Sequence, residues 1–138
     1  MDVNLEVLGR AIKRTQHSDH RAMDAALRET GISLVQWDAL RAIDRTPGAS
    51  AHALAVASFQ SDQAFGTLSA RLVAAGLVER RPGVGRRIEH HLTTMGRSAL
   101  ETGHITVQTL LPELFGALTA PEQATLLALL ERLAPPVD

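Results

Sequence analysis

Arginines crowd into one short part of this sequence. Six of them lie between residues 71 and 97 against two glutamates, whereas the whole chain has a formal net charge of −1. Guanidinium groups at this density suit the binding of phosphate oxygens, as on a nucleic-acid backbone. An ordinary solvated face is the alternative interpretation, since charge alone does not separate the two. The six are Arg71, Arg80, Arg81, Arg86, Arg87 and Arg97.

Histidines supply the other candidate chemistry. His17 and His20 are three residues apart and share a helix face, so with Asp19 or His104 they could hold a metal ion. No second group at ligand spacing accompanies them, and we predict no metal site. We expect His104 to be a hydrogen-bonded interface side chain. His90 stands in the inward row of a strand, where we expect a half-exposed histidine, with a pH-sensitive switch as the alternative.

Groups for catalysis are missing from the sequence. It contains no cysteine, which excludes disulfides, thiolate zinc sites and a cysteine nucleophile and fits a cytoplasmic protein. It has no glycine-rich phosphate loop, nucleophile elbow or clustered carboxylates, so we predict no enzyme, no catalytic residue and no cofactor. No apolar run reaches the roughly 18 residues of a membrane-spanning helix, so no membrane association is expected.

The elements that position the arginines follow from hydrophobic spacing. A length of 138 residues predicts a single domain, 1–138. Apolar residues at three- and four-residue spacing predict helices over 4–28 and 34–45, then a short helix capped by Ser50. A fourth helix is predicted from Ser61–Asp62 to Gly76, where a glycine favours a helix end.

The pattern then changes to a hairpin. Residues 77–81 form a short predicted strand, 82–85 a turn, and 86–93 alternate as a second strand, with arginines on both arms. Short helices followed by a basic hairpin indicate a winged helix-turn-helix, a mainly α fold with a small β-hairpin wing. In that unit the fourth helix enters the major groove, and the wing contacts phosphates or the minor groove.

The rest of the chain is predicted to be helical and unusually apolar. Thr93 can cap a long helix, Pro112 predicts a kink or break in it, a capping box lies at 119–122, and 135–136 ends the last helix. The two helices carry more apolar surface than a small winged helix can cover, which indicates long dimerisation helices. The continuous apolar stripe of the long helix is Leu100, His104, Val107, Leu111, Leu114 and Leu118.

Four short motifs lie in order along the chain. Leu54–Ala55 comes first, then 72–80 (LVAAGLVER), 92–96 (LTTMG) and 118–122 (LTAPE). On these motifs the sequence resembles the MarR family of bacterial transcriptional regulators, over nearly its whole length. The resemblance implies a winged helix-turn-helix part at 30–95 and a helical dimerisation part at 1–29 and 96–138.

The resemblance also implies a homodimer that binds an operator of two half-sites on double-stranded DNA. We expect a sequence-specific repressor that a small molecule releases from DNA. The first helix and the last two would form the dimer interface. The interface residues we predict are Leu5, Leu8, Leu111, Leu114, Leu126 and Leu130.

The predicted DNA contacts depart from the family pattern in two places. The family's wing Asp-x-Arg falls on 84–86, where the arginine is present as Arg86 and the aspartate is not, so we expect a more mobile wing. Arg86 is the first choice for the wing contact, and a shift of one residue would make it Arg87. Thr67 stands where relatives often have a base-reading arginine or lysine, so preference is expected to lean on DNA shape and the wing. The recognition-helix candidates are Ser61, Gln63, Gly66, Thr67, Ala70 and Arg71, and the wing candidates are Arg80, Arg81, Arg86 and Arg87.

A ligand site is implied by the resemblance as well. Many family members bind small aromatic or phenolic anions in a crevice between the dimer helices and the winged helix. Arg41 could pair with the carboxylate of such a ligand. The residues that could line the crevice are His20, Met23, Trp37, Arg41 and Met95. For Trp37, packing in the core is the favoured interpretation and the crevice is the alternative.

One competing function keeps the same fold. A winged helix with low net charge and few base-reading side chains could be a protein-interaction module that binds little DNA. The salt dependence of DNA binding separates the two, because several phosphate contacts give a steep slope and an interaction module gives none.

Overall fold

The computed structural model describes residues 1–135 as six α-helices and one two-stranded antiparallel sheet. This is the mainly α fold with a hairpin wing that the sequence predicts. The elements are α1 (Leu5–Arg28), α2 (Leu34–Arg45), α3 (Ala51–Ala57), α4 (Asp62–Ala74), β1 (Val78–Pro82), β2 (Ile88–Leu92), α5 (Thr94–Leu114) and α6 (Ala120–Leu133).

Side-chain caps fix where most helices begin. Ser33, Ser50, Ser61, Thr93 and Thr119 each accept a hydrogen bond from a backbone N–H in the first turn of the helix that follows. Each such cap is worth about 1 kcal/mol of stability. The predicted starts of these five helices are therefore confirmed.

Two predictions about element ends are wrong. The second wing strand begins at Ile88, so Arg86 and Arg87 lie in the connecting loop and not on a strand arm. The long helix α5 passes Pro112 and stops at Leu114, within one turn, because proline removes one backbone donor and crowds the preceding turn. Leu118 lies beyond α5, and the predicted apolar stripe is shorter by one residue. The predicted stop at 135–136 lies partly outside the described residues, and α6 ends before it at Leu133.

The core is aliphatic and joins the helical part to the winged helix. Leu27 of α1, Leu40 of α2, Phe65 of α4 and Leu100 of α5 belong to the same cluster of buried side chains. Val107 belongs to it too, so the middle of the predicted stripe packs within its own protomer.

Trp37 holds α5 against α2. Its indole N–H donates a hydrogen bond of 3.1 Å to the backbone carbonyl of Leu100, and the side chain is buried. A Cβ on Gly103 would lie 2.3 Å from Trp37 Cδ1. Only a glycine lets the helix backbone come this close to the ring.

The junction between the wing and α5 is a second close contact. Thr93 donates its backbone N–H to the Leu77 carbonyl and its hydroxyl to the Gly76 carbonyl, and its Oγ1 caps α5 by accepting from the Gly96 N–H. A Cβ on Gly96 would fall 2.0 Å from the Leu77 carbonyl oxygen. The LTTMG motif therefore connects the wing to α5 and fixes the orientation of the wing relative to that helix.

Helix α6 buries none of its residues. Four of its leucines, Leu126, Leu127, Leu129 and Leu130, are exposed, as are Leu5 and Leu8 on α1. A free helix of this length is marginal in water, so an apolar face of this kind requires a covering surface.

We expect Gly103→Ala to lower the free energy of unfolding by about 1–3 kcal/mol, because the added methyl group overlaps the Trp37 ring. Urea denaturation measures the change. Gly66→Ala is the matched control, since it lies in α4 with nothing within 4 Å of its Cβ position. That control should stabilise the protein slightly, and an equal effect of the two substitutions would contradict the assignment.

Candidate nucleic-acid interface and ligand crevice

The recognition helix α4 presents the face that the sequence predicts. Phe65, Leu68 and Leu72 are buried, and Ser69 is buried with them. The predicted DNA-facing residues are exposed: Ser61, Gln63, Gly66, Thr67, Ala70 and Arg71. Their contact with DNA stays a prediction.

The start of α4 carries a side-chain hydrogen bond that was not predicted from the sequence. His52 Nδ1 on α3 lies 2.9 Å from Asp62 Oδ1, and both side chains are exposed. The imidazole partly covers the carboxylate that would otherwise face DNA phosphates. Along the same face, Thr67 donates its hydroxyl to the Gln63 carbonyl, 3.2 Å away, which holds the side chain in one orientation.

The wing arginines differ in their hydrogen-bond and ion-pair partners. Arg80 donates to Ser69 Oγ of α4 at 3.1 Å, Arg87 donates to the Gly48 carbonyl at 2.8 Å, and Arg81 pairs with Glu79. Within residues 1–135, Arg86 makes no hydrogen bond or ion pair and is exposed in the loop. Arg86 is thus the wing arginine most available to a phosphate, while Arg80 and Arg87 brace the wing.

His90 is buried, with 2% of its surface exposed, so the predicted half-exposed histidine is wrong. Its backbone bonds to the α2–α3 turn, whose Gly48 N–H donates to the His90 carbonyl, and its ring packs edge-on against Phe65 with centroids 6.2 Å apart. Its Nδ1 lies 3.1 Å from the Ala49 carbonyl oxygen. The alternation along the strand correctly predicted that the His90 side chain points inward. The α2–α3 turn that buries it is distant in sequence and could not be predicted from that alternation.

Burial lowers the pKa of His90, and the positive charges of Arg80 and His91 lower it further, while the hydrogen bond to Ala49 acts in the opposite direction. The neutral imidazole is therefore the form that fits the folded wing. The ring lies behind α4, against Phe65.

A large crevice lies beside the winged helix. Its volume is about 980 Å³, and its walls come from α1, α2, the α3–α4 turn, α5 and α6. Four of the predicted lining residues, His20, Met23, Trp37 and Arg41, are on its walls. Met95 is not among the lining residues. It lies at the start of α5 with its sulfur close to Gly76, and its contact with a ligand stays a prediction.

The crevice combines an aromatic wall with charges of both signs. The Arg41 guanidinium lies over the Trp37 ring, 4.7 Å from its centroid, and 3.4 Å from Asp38 Oδ1. Burial raises the pKa of Asp38, although Arg41 opposes the shift. The indole N–H is already bonded to Leu100, so Trp37 offers only its ring face to a ligand.

Two features of the crevice were not predicted from the sequence. Four predicted dimer residues, Leu8, Leu111, Leu126 and Leu130, also line it, because α1, α5 and α6 meet there. Phe59 lines it as well, at the turn between α3 and α4. The sequence signals this only as a phenylalanine in the short connection between the two helices.

A capped recognition helix, a hairpin wing braced against it and a crevice at its rear define a winged helix-turn-helix regulator. Sequence comparison gives the particular family: a model described as "MarR family" matches residues 30–88. The chain is also 32% identical over 113 residues to the HTH-type transcriptional repressor Rv2887 of Mycobacterium tuberculosis, covering 80% of this chain and 81% of that protein. The chain belongs to the MarR family, as its motifs predicted, and this family membership makes it a transcriptional regulator.

Solved structures agree over almost the whole chain. A mutant of Escherichia coli MarR complexed with operator DNA has a TM-score of 0.87 at 31% identity, covering 98% of this chain and all of that one. Rv2887 complexed with p-aminosalicylic acid has a TM-score of 0.77 at 30% identity, covering 91% of this chain and 97% of that one. Rv2887 complexed with DNA has a TM-score of 0.80 at 28% identity, covering 97% of this chain and all of that one.

Residues 1–135 contain neither a membrane-spanning helix nor a metal-binding cluster of side chains. No helix there is long and apolar enough to cross a membrane. Over the same range, no three His, Asp or Glu side chains lie close enough together to hold a metal ion.

We expect the stability of the protein to fall as pH decreases below about 6.5, the ordinary pKa of histidine. A histidine whose folded pKa is depressed contributes stability above its unfolded pKa, and this contribution is lost as pH falls through the folded value. Urea denaturation between pH 7.5 and 5 measures it. His90→Asn should flatten the slope by up to about 1.4 kcal/mol per pH unit. His17→Asn, on exposed α1, is the control, and an unchanged slope in His90→Asn would contradict the role of His90.

Proposed function

We propose that this protein is a homodimeric, sequence-specific repressor that leaves its operator when a small aromatic acid occupies the crevice. The observation that carries the proposal is the arrangement of α4 and the wing. The exposed polar face of α4 and the exposed Arg86 of the wing belong to the same winged helix, and the crevice lies beside this unit. Helix α4 would fix the register in the major groove, and the wing would supply affinity through phosphates.

The leucine-dense surfaces of α1 and α6 support the homodimer. Exposed Leu5 and Leu8 on one helix and Leu126 and Leu130 on the other form an apolar area that the described chain leaves uncovered. A second copy offers the same leucines, which suits a two-fold symmetric contact. Such a dimer places its two recognition helices roughly one DNA turn, about 34 Å, apart.

The chemistry of the crevice supports an aromatic carboxylate as the releasing ligand. The Trp37 ring face offers an apolar wall, and Arg41 offers a guanidinium for a carboxylate. The MarR-family protein Rv2887 has been solved with salicylic acid and with p-aminosalicylic acid. Release requires that the ligand bind more tightly to a dimer whose recognition helices do not match the operator spacing.

The proposal includes no catalytic role and a cytoplasmic location. The relatives are transcriptional repressors, and the described residues bring together no nucleophile, base and orienting group. A protein that binds chromosomal DNA works in the cytoplasm of a bacterium.

DNA binding is tested by fluorescence anisotropy on a fragment from upstream of the protein's own gene, against scrambled DNA, at several salt concentrations. We expect tight, sequence-preferring binding with a steep salt slope that salicylate weakens. Arg86→Gln should reduce the slope by about one phosphate contact. Arg87→Gln should weaken binding with the slope retained, because Arg87 holds the wing through Gly48. Equal, salt-independent binding to both fragments would favour the protein-interaction module instead.

The homodimer is tested by analytical ultracentrifugation. We expect twice the chain mass of 14.8 kDa for the wild type and a monomer for Leu126→Asp/Leu130→Asp, because buried carboxylates oppose an apolar interface. Val56→Asp is the matched control, since Val56 is an exposed apolar residue on α3 and belongs to neither leucine-bearing helix. A leucine variant that stays dimeric would contradict this interface.

A further inference from the structure

Phe59 is the most unusual residue of the molecule. Its side chain is 97% exposed, although it is one of only three phenylalanines in the chain. Its φ is +57°, and it is the only non-glycine residue with positive φ within residues 1–135. A bulky aromatic side chain in this left-handed region is an outlier that the surrounding structure must maintain.

The strain has a clear local origin. The Phe59 N–H donates to the Val56 carbonyl and the Gln60 N–H to the Ala55 carbonyl, which is the Schellman pattern of a helix end. The left-handed position of that pattern normally belongs to glycine. Glycine would therefore make this turn without strain, and the phenylalanine adds nothing to the core because its ring is exposed.

The ring lies where two functional parts meet. Phe59 lines the crevice together with Trp37 and Arg41. It also stands two residues before Ser61, whose side chain caps the recognition helix. A ligand that touches the ring thus contacts a residue whose backbone leads directly into α4.

From this placement we propose that Phe59 is a specificity-determining residue of the crevice. Its ring packs on the ring of a bound aromatic carboxylate and transmits occupancy to α4. The inference rests on the proposed function and deepens it, since it assigns to this turn both selection for planar aromatic acids and the coupling to DNA release. A ligand with no planar ring would lose this contact and release DNA weakly.

In the test of this proposal, the melting temperature and the affinity for salicylate are expected to change in opposite directions. Phe59→Gly removes the ring and the strain together, so its melting temperature should rise by about 2–5 °C at fixed protein concentration. Its affinity for salicylate, measured by calorimetry, should fall about 3- to 10-fold, the size of an aromatic pair contact. The salicylate concentration that releases DNA should rise by the same factor, relative to each variant's own operator affinity without salicylate.

Two variants isolate the ring. Phe59→Leu keeps an apolar side chain and the strained backbone, so it should lose salicylate affinity with no gain in melting temperature. Val56→Ala removes an exposed apolar side chain that does not line the crevice, so its salicylate affinity should equal that of the wild type.

Several outcomes would overturn the proposal. Equal salicylate affinity of Phe59→Gly and the wild type would remove the ring from the site. A lower melting temperature of Phe59→Gly would show that the ring stabilises the fold. A shift in the dimer dissociation constant with no change in salicylate affinity would mean that a second copy covers Phe59. A wild type that binds DNA but no salicylate would overturn both this inference and the ligand part of the proposed function, with the DNA-binding part intact.

Discussion

The contact between Trp37 and helix α5 is the constraint on which the rest of the structure depends. The indole N–H bonds to the Leu100 carbonyl, and Gly103 lets the backbone reach the ring. This contact joins the winged helix to the long helix and buries the largest side chain of the chain between them. Because one face of the ring also forms a wall of the crevice, the same contact positions the candidate ligand site.

The wing is held by polar contacts in addition to the apolar packing of Leu77 and Val78 in the core. Arg80 reaches Ser69 of the recognition helix, Arg87 reaches Gly48, and buried His90 lies between the wing and Phe65. Arginines that look equivalent in the sequence therefore differ in their contacts, since Arg80 and Arg87 are bonded to other parts of the fold while Arg86 is exposed. A protein with a net charge of −1 can present a basic reading surface in this way.

The proposed dimer contact and the proposed ligand site share several leucines. Leu8, Leu126 and Leu130 are exposed apolar side chains, and they also line the crevice. A ligand there would touch the surfaces that set the arrangement of the two subunits. Differential affinity for two dimer arrangements is what a ligand-responsive regulator requires, because a ligand that binds both equally shifts nothing.

The sequence by itself determined the helices, their caps and the family, because apolar spacing, Ser and Thr caps and the short motifs are local signals that act within one turn. It also gave the exposed face of α4 from the same spacing. Tertiary structure alone decided which arginines brace the wing, that His90 is buried, that Met95 lies outside the crevice and that Phe59 lines it. Those outcomes depend on residues that are distant in the chain, such as Gly48 and Ala49 beside His90, and no local periodicity encodes such contacts.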